Sequence, residues 1–184
     1  MGFFDRFKKR ESMRKPYGPN LIEIARLISN GDQAVLCEIS ACTQDPQAWF
    51  EAHREQYSQR GINTIGNLEW IQWLGLADIL AGHNYVCERD WKDARDDFLF
   101  FLQQLKGFQA LHLSVDPAWL DGGQDIPIWC NILAEQWEPQ GVRIAAIGID
   151  SDSYVLFPCP VAQLPTLQRL AGELGQYIES VEGM

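Results

Sequence analysis

The amino-acid sequence predicts an α/β protein: a mixed, mostly parallel sheet of about four strands with flanking helices, a helical N-terminal third, and a C-terminal hairpin followed by a helix. Apolar residues recur at helical spacing through the first third, and β-prone segments then alternate with helical ones. Near the C-terminus, two β-prone runs flank a short Asp/Ser turn, which predicts a hairpin. Strands that alternate with helices favour parallel pairing, and only the hairpin requires an antiparallel neighbour.

Four helical segments are predicted before the first strand. Residues 20–31 carry apolar side chains at helical spacing and end in Asn-Gly, and residues 34–41 continue the pattern. Residues 45–60 begin with Asp-Pro, a capping residue followed by the residue favoured at the first helical position. Residues 67–82 begin with a capping Asn and are apolar nearly all round, so we expect a buried central helix.

The middle of the chain predicts a strand, a helix and a second strand. Residues 85–88 are β-prone, and the helix that follows begins at Asp90, whose carboxylate can cap it. The apolar stripe of that helix consists of Ala94, Phe98, Phe101, Leu102 and Leu105. Residues 110–115 alternate in character and stop at an Asp-Pro pair, which predicts the second strand.

The last part of the chain predicts a helix, the hairpin and a closing helix. Residues 128–138 are helical in pattern, and a Pro-Gln-Gly sequence separates them from the hairpin. The apolar run at residues 143–149 predicts a strand buried on both faces, and residues 154–157 form the second arm. Apolar side chains in residues 165–181 share one face of a final helix.

Length and composition indicate one folded domain with a separate N-terminal tail. At 184 residues and 46% hydrophobic composition, the chain can bury a substantial core. Residues 1–19 form a basic tail that ends in a Pro/Gly linker, and residues 20–184 form a single α/β domain. Three Phe residues lie beside the basic cluster in residues 1–15, so this segment is either a weak membrane-surface anchor or a loosely packed tail.

The charge of the chain is unevenly distributed. The formal net charge is −10, yet residues 1–15 carry six basic and two acidic side chains. The remainder is therefore strongly acidic, which disfavours nucleic acid and suits a basic protein partner or a cation. No segment has the length of a membrane span or a secretory signal, and the five cysteines include no Cys-x-x-Cys pair. We expect a cytoplasmic protein with reduced, mostly buried thiols.

Acidic residues follow each of the first three predicted strands. Together they are Glu88, Asp90, Asp116, Asp150 and Asp152. If these strands are parallel, their carboxyl ends share one edge of the sheet, where α/β proteins bind ligands. Carboxylates that converge there would suit Mg²⁺ or Ca²⁺, and Lys92 and Ser153 would serve as auxiliary groups for an anion.

Local structure explains the same acids without a ligand. Asp90 would cap a helix, Asp116 would precede a proline at a turn, and Asp150 and Asp152 would shape a hairpin turn. The three histidines are scattered, and the chain contains neither a Gly-x-Ser-x-Gly sequence nor a Gly-rich phosphate loop. We therefore expect no cofactor and no resident metal, and we assign no catalytic residue.

Four segments carry a family resemblance. They are Leu76-Ala77-Asp78-Ile79-Leu80, Asp90-Trp91-Lys92-Asp93, Ile149-Asp150-Ser151-Asp152-Ser153-Tyr154 and the closing leucine-rich helix. These motifs, the second and third above all, resemble an uncharacterised bacterial family known as a domain of unknown function. The similarity covers residues 67–181. It implies no activity, no ligand and no functional residue.

The sequence as a whole predicts a cytoplasmic bacterial protein that is not an enzyme and that binds a basic partner through an acidic surface. An immunity-like or regulatory module has this character. The alternative is a cation-dependent hydrolase or phosphotransferase that uses carboxylates at the sheet edge. The two hypotheses differ in whether those carboxylates converge around a pocket or lie dispersed on a convex surface.

Overall fold

Residues 17–181 are described by the computed structural model, which contains nine α-helices and four β-strands in that range. The helices are α1 (Tyr17–Ile28), α2 (Gln33–Gln44), α3 (Pro46–Ala52), α4 (Arg54–Gln59), α5 (Leu68–Gly82), α6 (Arg95–Gln104), α7 (Lys106–Ala110), α8 (Ile126–Trp137) and α9 (Leu164–Glu173). The strands are β1 (Cys87–Asp90), β2 (Val142–Ile147), β3 (Ser153–Pro160) and β4 (Ile178–Ser180). No helix within residues 17–181 is long and apolar enough to cross a membrane.

The N-terminal third is helical, as predicted. α1 begins at Tyr17 and so includes three residues assigned to the linker from sequence, because a proline in the first helical turn loses no intrahelical hydrogen bond. Asp45 and Asn67 cap α3 and α5 through side-chain oxygens. The third predicted segment forms two short helices, because His53 has a φ of −113° and a ψ of 23° and interrupts the helix. The predicted basic tail, residues 1–15, lies outside the described residues.

The four strands form one antiparallel sheet in the order β1-β3-β2-β4. The prediction of a mostly parallel sheet is therefore wrong. Residues 110–115 form no strand, because α7 ends at Ala110, His112 has a left-handed φ of 51°, and Leu113 packs into a helical core. Since that strand is missing, β1 pairs instead with β3, the second arm of the hairpin.

The closing helix is shorter than predicted. α9 ends at Glu173, and Gly175, with a φ of 73°, turns the chain back toward the sheet. Residues 178–180 then form β4 and pair with β2. Ile178 and Val181 are buried in two different cores, on opposite faces of the sheet. Their three-residue separation suits one face of a helix, but it places them on opposite sides of an extended chain.

The helix predicted to begin at Asp90 starts five residues later. Asp90 is the last residue of β1, and α6 begins at Arg95 after an Ala94 N-cap that offers no side-chain acceptor. The Asp90 carboxylate accepts a hydrogen bond from the backbone N–H of Lys92 at 2.9 Å. Asp90 therefore stabilises the turn after β1 and does not cap the helix.

Helices cover both faces of the sheet, so the domain has two apolar cores. Ala145 and Ile147 of β2 join the core formed with α1–α5 and α9, whereas Ile144 and Ala146 join the core formed with α6–α8. Successive strand residues point to opposite faces, and here both faces are buried. This explains why an antiparallel strand has the continuous apolar sequence that parallel strands usually show.

Candidate functional site

Most of the predicted site residues lie at one end of the sheet. The register of β1 with β3 places Asp90 opposite Ser153. The β2–β3 turn, which carries Asp150 and Asp152, immediately precedes β3. The C-terminal end of β1 therefore adjoins this turn. These residues meet because β1 and β3 are antiparallel, and not because parallel strands end at a common edge.

A cleft of about 390 Å³ lies at this end of the sheet. Two of the predicted acids, Glu88 and Asp150, line it together with Arg60. Trp70 and Ile149 contribute apolar surface to the same cleft. Apolar walls with a few charged groups are typical of sites for small molecules. The structure thus brings two of the five predicted acids into one concave site.

Arg60 forms an ion-pair cluster with Asp78 and Glu88. Its Nη2 atom donates to Oδ1 of Asp78 and to Oε2 of Glu88, each at 2.6 Å, and its Nη1 atom donates to Oε1 of Glu88 at 3.2 Å. Burial alone would lower the pKa of Arg60, but the hydrogen bonds to the two carboxylates outweigh that effect and raise it. Arg60 follows α4, while its partners lie on α5 and β1. The cluster therefore ties the helical layer to the sheet.

Asp78 retains one oxygen that accepts no hydrogen bond from residues 17–181. Its side chain is 9% exposed, and Oδ1 pairs with Arg60, while the buried Oδ2 has no donor among the described groups. Burial raises the pKa of Asp78 above its ordinary value, and the hydrogen bond from Arg60 opposes the rise. A buried carboxylate oxygen without a donor destabilises the folded state.

The sequence interpretation missed Arg60 and Asp78. Asp78 stands within a helix that is apolar nearly all round, and a charged residue is rarely buried there unless it is paired. That contrast is a usable signal for Asp78. Nothing in the neighbouring sequence identifies Arg60 as its partner, because the pairing depends on how α4 packs against α5.

Asp150 and Asp152 lie in the turn between β2 and β3. Asp150 has a left-handed φ of 48°, which Asp tolerates better than most residues do. The Ser151 hydroxyl oxygen accepts a hydrogen bond from the backbone N–H of Ser153 at 3.0 Å. Asp150 and Asp152 are both exposed. The Ser151 side chain therefore stabilises the turn, and Asp150 contributes through its left-handed backbone conformation.

Lys92 and Asp116 do not line the cleft. The Nζ atom of Lys92 lies 4.6 Å from the ring centroid of Trp91. The Asp116 carboxylate accepts a hydrogen bond from the backbone N–H of Ala118 at 2.9 Å and caps a short 3₁₀ turn, Pro117–Trp119. Because residues 110–115 form no strand, Asp116 does not follow the sheet as predicted.

Within residues 17–181, no three His, Cys, Asp or Glu side chains are grouped to hold a metal ion. Both carboxylate oxygens of Glu88 accept hydrogen bonds from Arg60, so a metal ion would have to displace a guanidinium that binds both oxygens.

Burial raises the pKa of three thiols, those of Cys42, Cys87 and Cys159, to about 12. These thiols therefore stay protonated and unreactive at neutral pH.

A second candidate surface lies on the outward side of α6. Phe98, Leu99 and Leu102 are buried, and helical geometry turns the intervening residues toward solvent. We define the α6 face as Trp91, Asp96, Asp97, Phe100 and Phe101. Phe100 is 60% exposed, Trp91 45% and Phe101 39%. The sequence predicted Phe101 to lie in the buried apolar stripe of this helix, but its side chain is partly exposed.

The aromatic rings of the α6 face are held in place by neighbouring groups. The rings of Phe100 and Phe101 meet edge to face, with centroids 5.2 Å apart. The Cζ atom of Arg89 lies 4.0 Å from the centroid of Phe101, and Asp93 forms an ion pair with Arg89. Lys92 lies over the Trp91 ring. Cation–π contacts of this kind fix the orientation of a ring while they leave one of its faces accessible.

The α6 face is acidic at one end and aromatic at the other. Asp96 and Asp97 precede Phe100 and Phe101 by four residues each, and residues four apart are neighbours on a helix surface. All four lie outside the core. The face therefore presents two carboxylates, one of which, that of Asp96, is bonded to Arg95, beside two phenyl rings in contact.

One protein family matches the chain, over residues 20–181; its description is Domain of unknown function (DUF6630). No curated protein and no solved structure matches. The match confirms the resemblance to a domain of unknown function and extends it to the N-terminal helices, including Arg60. Because the match covers most of the chain, the protein belongs to the family of domains of unknown function designated DUF6630.

Proposed function

We propose that this domain binds a basic protein segment through the α6 face and acts as a non-enzymatic module of an immunity-like or regulatory kind. The observation that carries the proposal is the contact between two exposed rings, Phe100 and Phe101, on the side of α6 that carries Asp96 and Asp97. Trp91 is also exposed, in the turn before the helix. Aromatic residues are enriched at the centres of protein interfaces, where they contribute most of the binding energy.

The exposure of the rings supports docking over a purely structural role. Single exposed apolar residues are normal on protein surfaces, but contiguous aromatic patches mark interaction sites. Phe100 is 60% exposed, whereas Phe98, Leu99 and Leu102 of the same helix are buried. The contact between Phe100 and Phe101 and the cation over Phe101 order these rings before any partner arrives. Preordered side chains lose less conformational entropy on binding.

The charge of the domain indicates the chemistry of the partner. The whole chain has a formal charge of −10. Asp97 adds a carboxylate to the aromatic surface itself, and Asp96 adds a second one that is paired with Arg95. Such a field speeds encounter with a cationic segment and weakens as salt screens it. We therefore expect a partner segment that combines Lys or Arg with apolar side chains.

The alternative, a cation-dependent hydrolase or phosphotransferase, has weaker support. Glu88 and Asp150 share a cleft, but Asp90, Asp116 and Asp152, which this alternative also needs there, do not line it. Arg60 also neutralises Glu88 there and supplies the cluster with its own cation. The cleft therefore favours an internal ion pair over a bound metal.

The test is the fluorescence anisotropy of a labelled amphipathic peptide that carries Lys and Leu at helical spacing. We expect saturable binding to the wild-type domain that weakens at high salt. Phe100→Ser/Phe101→Ser should abolish it, whereas Leu68→Ser/Val161→Ser, which removes two exposed apolar residues elsewhere, should not. The peptide with Glu in place of Lys should not bind.

A second pair of variants separates local from overall charge. Asp96→Asn/Asp97→Asn and Glu51→Gln/Glu55→Gln change the net charge equally, but only the first pair lies on the α6 face. We expect the first double variant to bind more weakly than the second. Equal binding by both, or retained binding by the double Phe variant, would contradict the proposal.

A further inference from the structure

An exposed tyrosine lies beside the point at which the N-terminal segment joins the domain. At the start of α1, Nδ2 of Asn20 donates to Oε2 of Glu173, the last residue of α9, at 2.9 Å. The Tyr17 phenol lies beside Gln176, in the turn between α9 and β4. The next residue, Tyr177, is 41% exposed. The segment that continues from Tyr17 toward the N-terminus therefore starts close to the Tyr177 ring.

The Tyr177 ring is held in place on one side. A Cβ added at Gly148 would overlap this ring, so the ring lies directly on the backbone of the glycine. The N–H of Gly148 also donates to the carbonyl oxygen of Tyr177 at 3.1 Å, which fixes the backbone of the two residues together. The exposed part of the ring therefore has a defined position. An aromatic face of this kind attracts the cationic group of Lys or Arg.

Two carboxylates lie beside the same ring. Burial raises the pKa of Tyr177, and the negative charges of Asp150 and Glu179 raise it further. Tyr177 and Glu179 flank the buried Ile178 in an extended segment, so their side chains lie on the same face of it. Both carboxylates are exposed. We define the Tyr177 surface as Tyr177, Asp150 and Glu179, and this surface combines an aromatic face with negative charge.

The chain carries basic residues within reach of this surface. Arg14 and Lys15 precede Tyr17 by three and two residues, and they belong to a segment with six basic and two acidic side chains. Three residues span at most about 11 Å of extended chain, and a long cationic side chain adds to this reach. Because so few residues connect the groups, little conformational entropy is lost when they meet.

We propose that Arg14 and Lys15 dock on the Tyr177 surface. One cationic side chain lies over the exposed part of the ring, and the charges of both are balanced by Asp150 and Glu179. The contact ties the basic N-terminal segment to the edge of the sheet at β4. The Tyr177 surface shares no residue with the α6 face, so the proposal is independent of the function proposed above.

Trypsin digestion of the full chain tests the proposal. Trypsin must bind Arg14 to cut the bond between Arg14 and Lys15, so docking slows this cut. The measurement is the rate at which the fragment that begins at Lys15 appears in mass spectra. In Tyr177→Leu/Glu179→Lys, which keeps an apolar side chain over Gly148, we expect the cut to be about tenfold faster than in wild type. This factor corresponds to one exposed cation–π contact and one surface ion pair together.

Two comparisons exclude indirect causes of faster cleavage. Trp119→Leu/Glu135→Lys makes the same change in charge and removes an exposed aromatic ring elsewhere, and its cut at Arg14 should be as slow as in wild type. Cleavage after Arg26, within α1, reports unfolding of that helix and should be equally slow in all these proteins.

A third variant separates the Tyr177 surface from the α6 face. Phe100→Ser/Phe101→Ser should leave the cut at Arg14 as slow as in wild type, and faster cleavage there would mean that the segment occupies the α6 face instead. Equal rates in wild type and Tyr177→Leu/Glu179→Lys would overturn the proposal. So would a parallel increase in cleavage after Arg14 and Arg26 in the Tyr177 variant.

Discussion

The indole Nε1 of Trp73 donates a buried hydrogen bond of 2.7 Å to the carbonyl oxygen of Gly148, 75 positions further along the chain. The N–H of Gly148 in turn donates to the carbonyl oxygen of Tyr177 at 3.1 Å. One residue at the end of β2 thus connects the central helix α5 with the segment that leads into β4. These bonds position the turn that carries Asp150 beside the cleft.

Replacing Trp73 with Phe should destabilise the domain by about 3 kcal/mol, because it leaves a buried carbonyl without a donor and a void beside it. The matched control is Trp119→Phe, since Trp119 is 37% exposed. Chemical denaturation of both variants measures the difference in the free energy of unfolding. Similar small losses in the two variants would show that the Trp73 bond contributes little.

Gly148→Ala should destabilise the domain by about 2 kcal/mol, because the added Cβ would lie 2.0 Å from Cζ of Tyr177. Tyr177 is 41% exposed, so its ring can move away only by giving up its packing. The double variant Gly148→Ala/Tyr177→Ala should lose less stability than the two single losses added together. Thermal unfolding measures this coupling, and strictly additive losses would contradict the steric explanation.

Arg60→Ala should destabilise the domain by about 3 kcal/mol, because it leaves Asp78 and Glu88 close together without their shared cation. Arg54→Ala removes an exposed pair with Glu51 and should cost less than about 1 kcal/mol. Folding raises the pKa of Asp78, so protonation of this carboxylate favours the folded state. The loss of stability caused by Arg60→Ala should therefore become smaller as the pH falls. A stability difference between wild type and Arg60→Ala that stays constant or grows in acid would exclude this explanation.

Asp32 should make the stability of the domain sensitive to acid. Its carboxylate accepts hydrogen bonds from Tyr85 at 2.8 Å and Lys106 at 3.2 Å, and these bonds lower its pKa from 3.8 to about 2. A pKa lowered by folding means that the stabilisation is present above the unfolded pKa and is lost as the pH falls through the folded one. The advantage in melting temperature of wild type over Asp32→Asn should therefore shrink between pH 3.8 and about 2.

Tyr85→Phe serves as the comparison for Asp32, because it removes the hydrogen bond that contributes most to the lowered pKa. The acid dependence of this variant should be intermediate between those of wild type and Asp32→Asn. Parallel loss of stability in all three proteins over the same pH range would mean that Asp32 does not carry the effect.

Added Mg²⁺ or Ca²⁺ should not raise the melting temperature beyond the effect of ordinary salt. Asp150 and Asp152 are exposed turn residues, and Glu88 is already paired with Arg60. The measurement compares wild type with Asp150→Asn/Asp152→Asn, each with metal and with chelator. A stabilisation of the wild type alone would follow mass action for a bound ion and would favour the hydrolase alternative.

The sequence by itself determined the features that depend on neighbours along the chain. The Asp45 and Asn67 caps, the buried helix α5 and the hairpin around Asp150 were predictable because capping, apolar periodicity and turn chemistry act over a few residues. The odd position of Asp78 in an apolar helix was also visible, although its partner was not.

Only the tertiary structure decided which strands pair and which charges meet. Ile178 and Val181 have a spacing that suits a helix, and only the free edge of β2 makes that segment a strand. Antiparallel pairing of β1 with β3 brings Glu88 toward Asp150, and packing of α4 on α5 brings Arg60 to Asp78. These contacts join residues far apart in the chain, and their energies depend on burial and geometry that no local pattern contains.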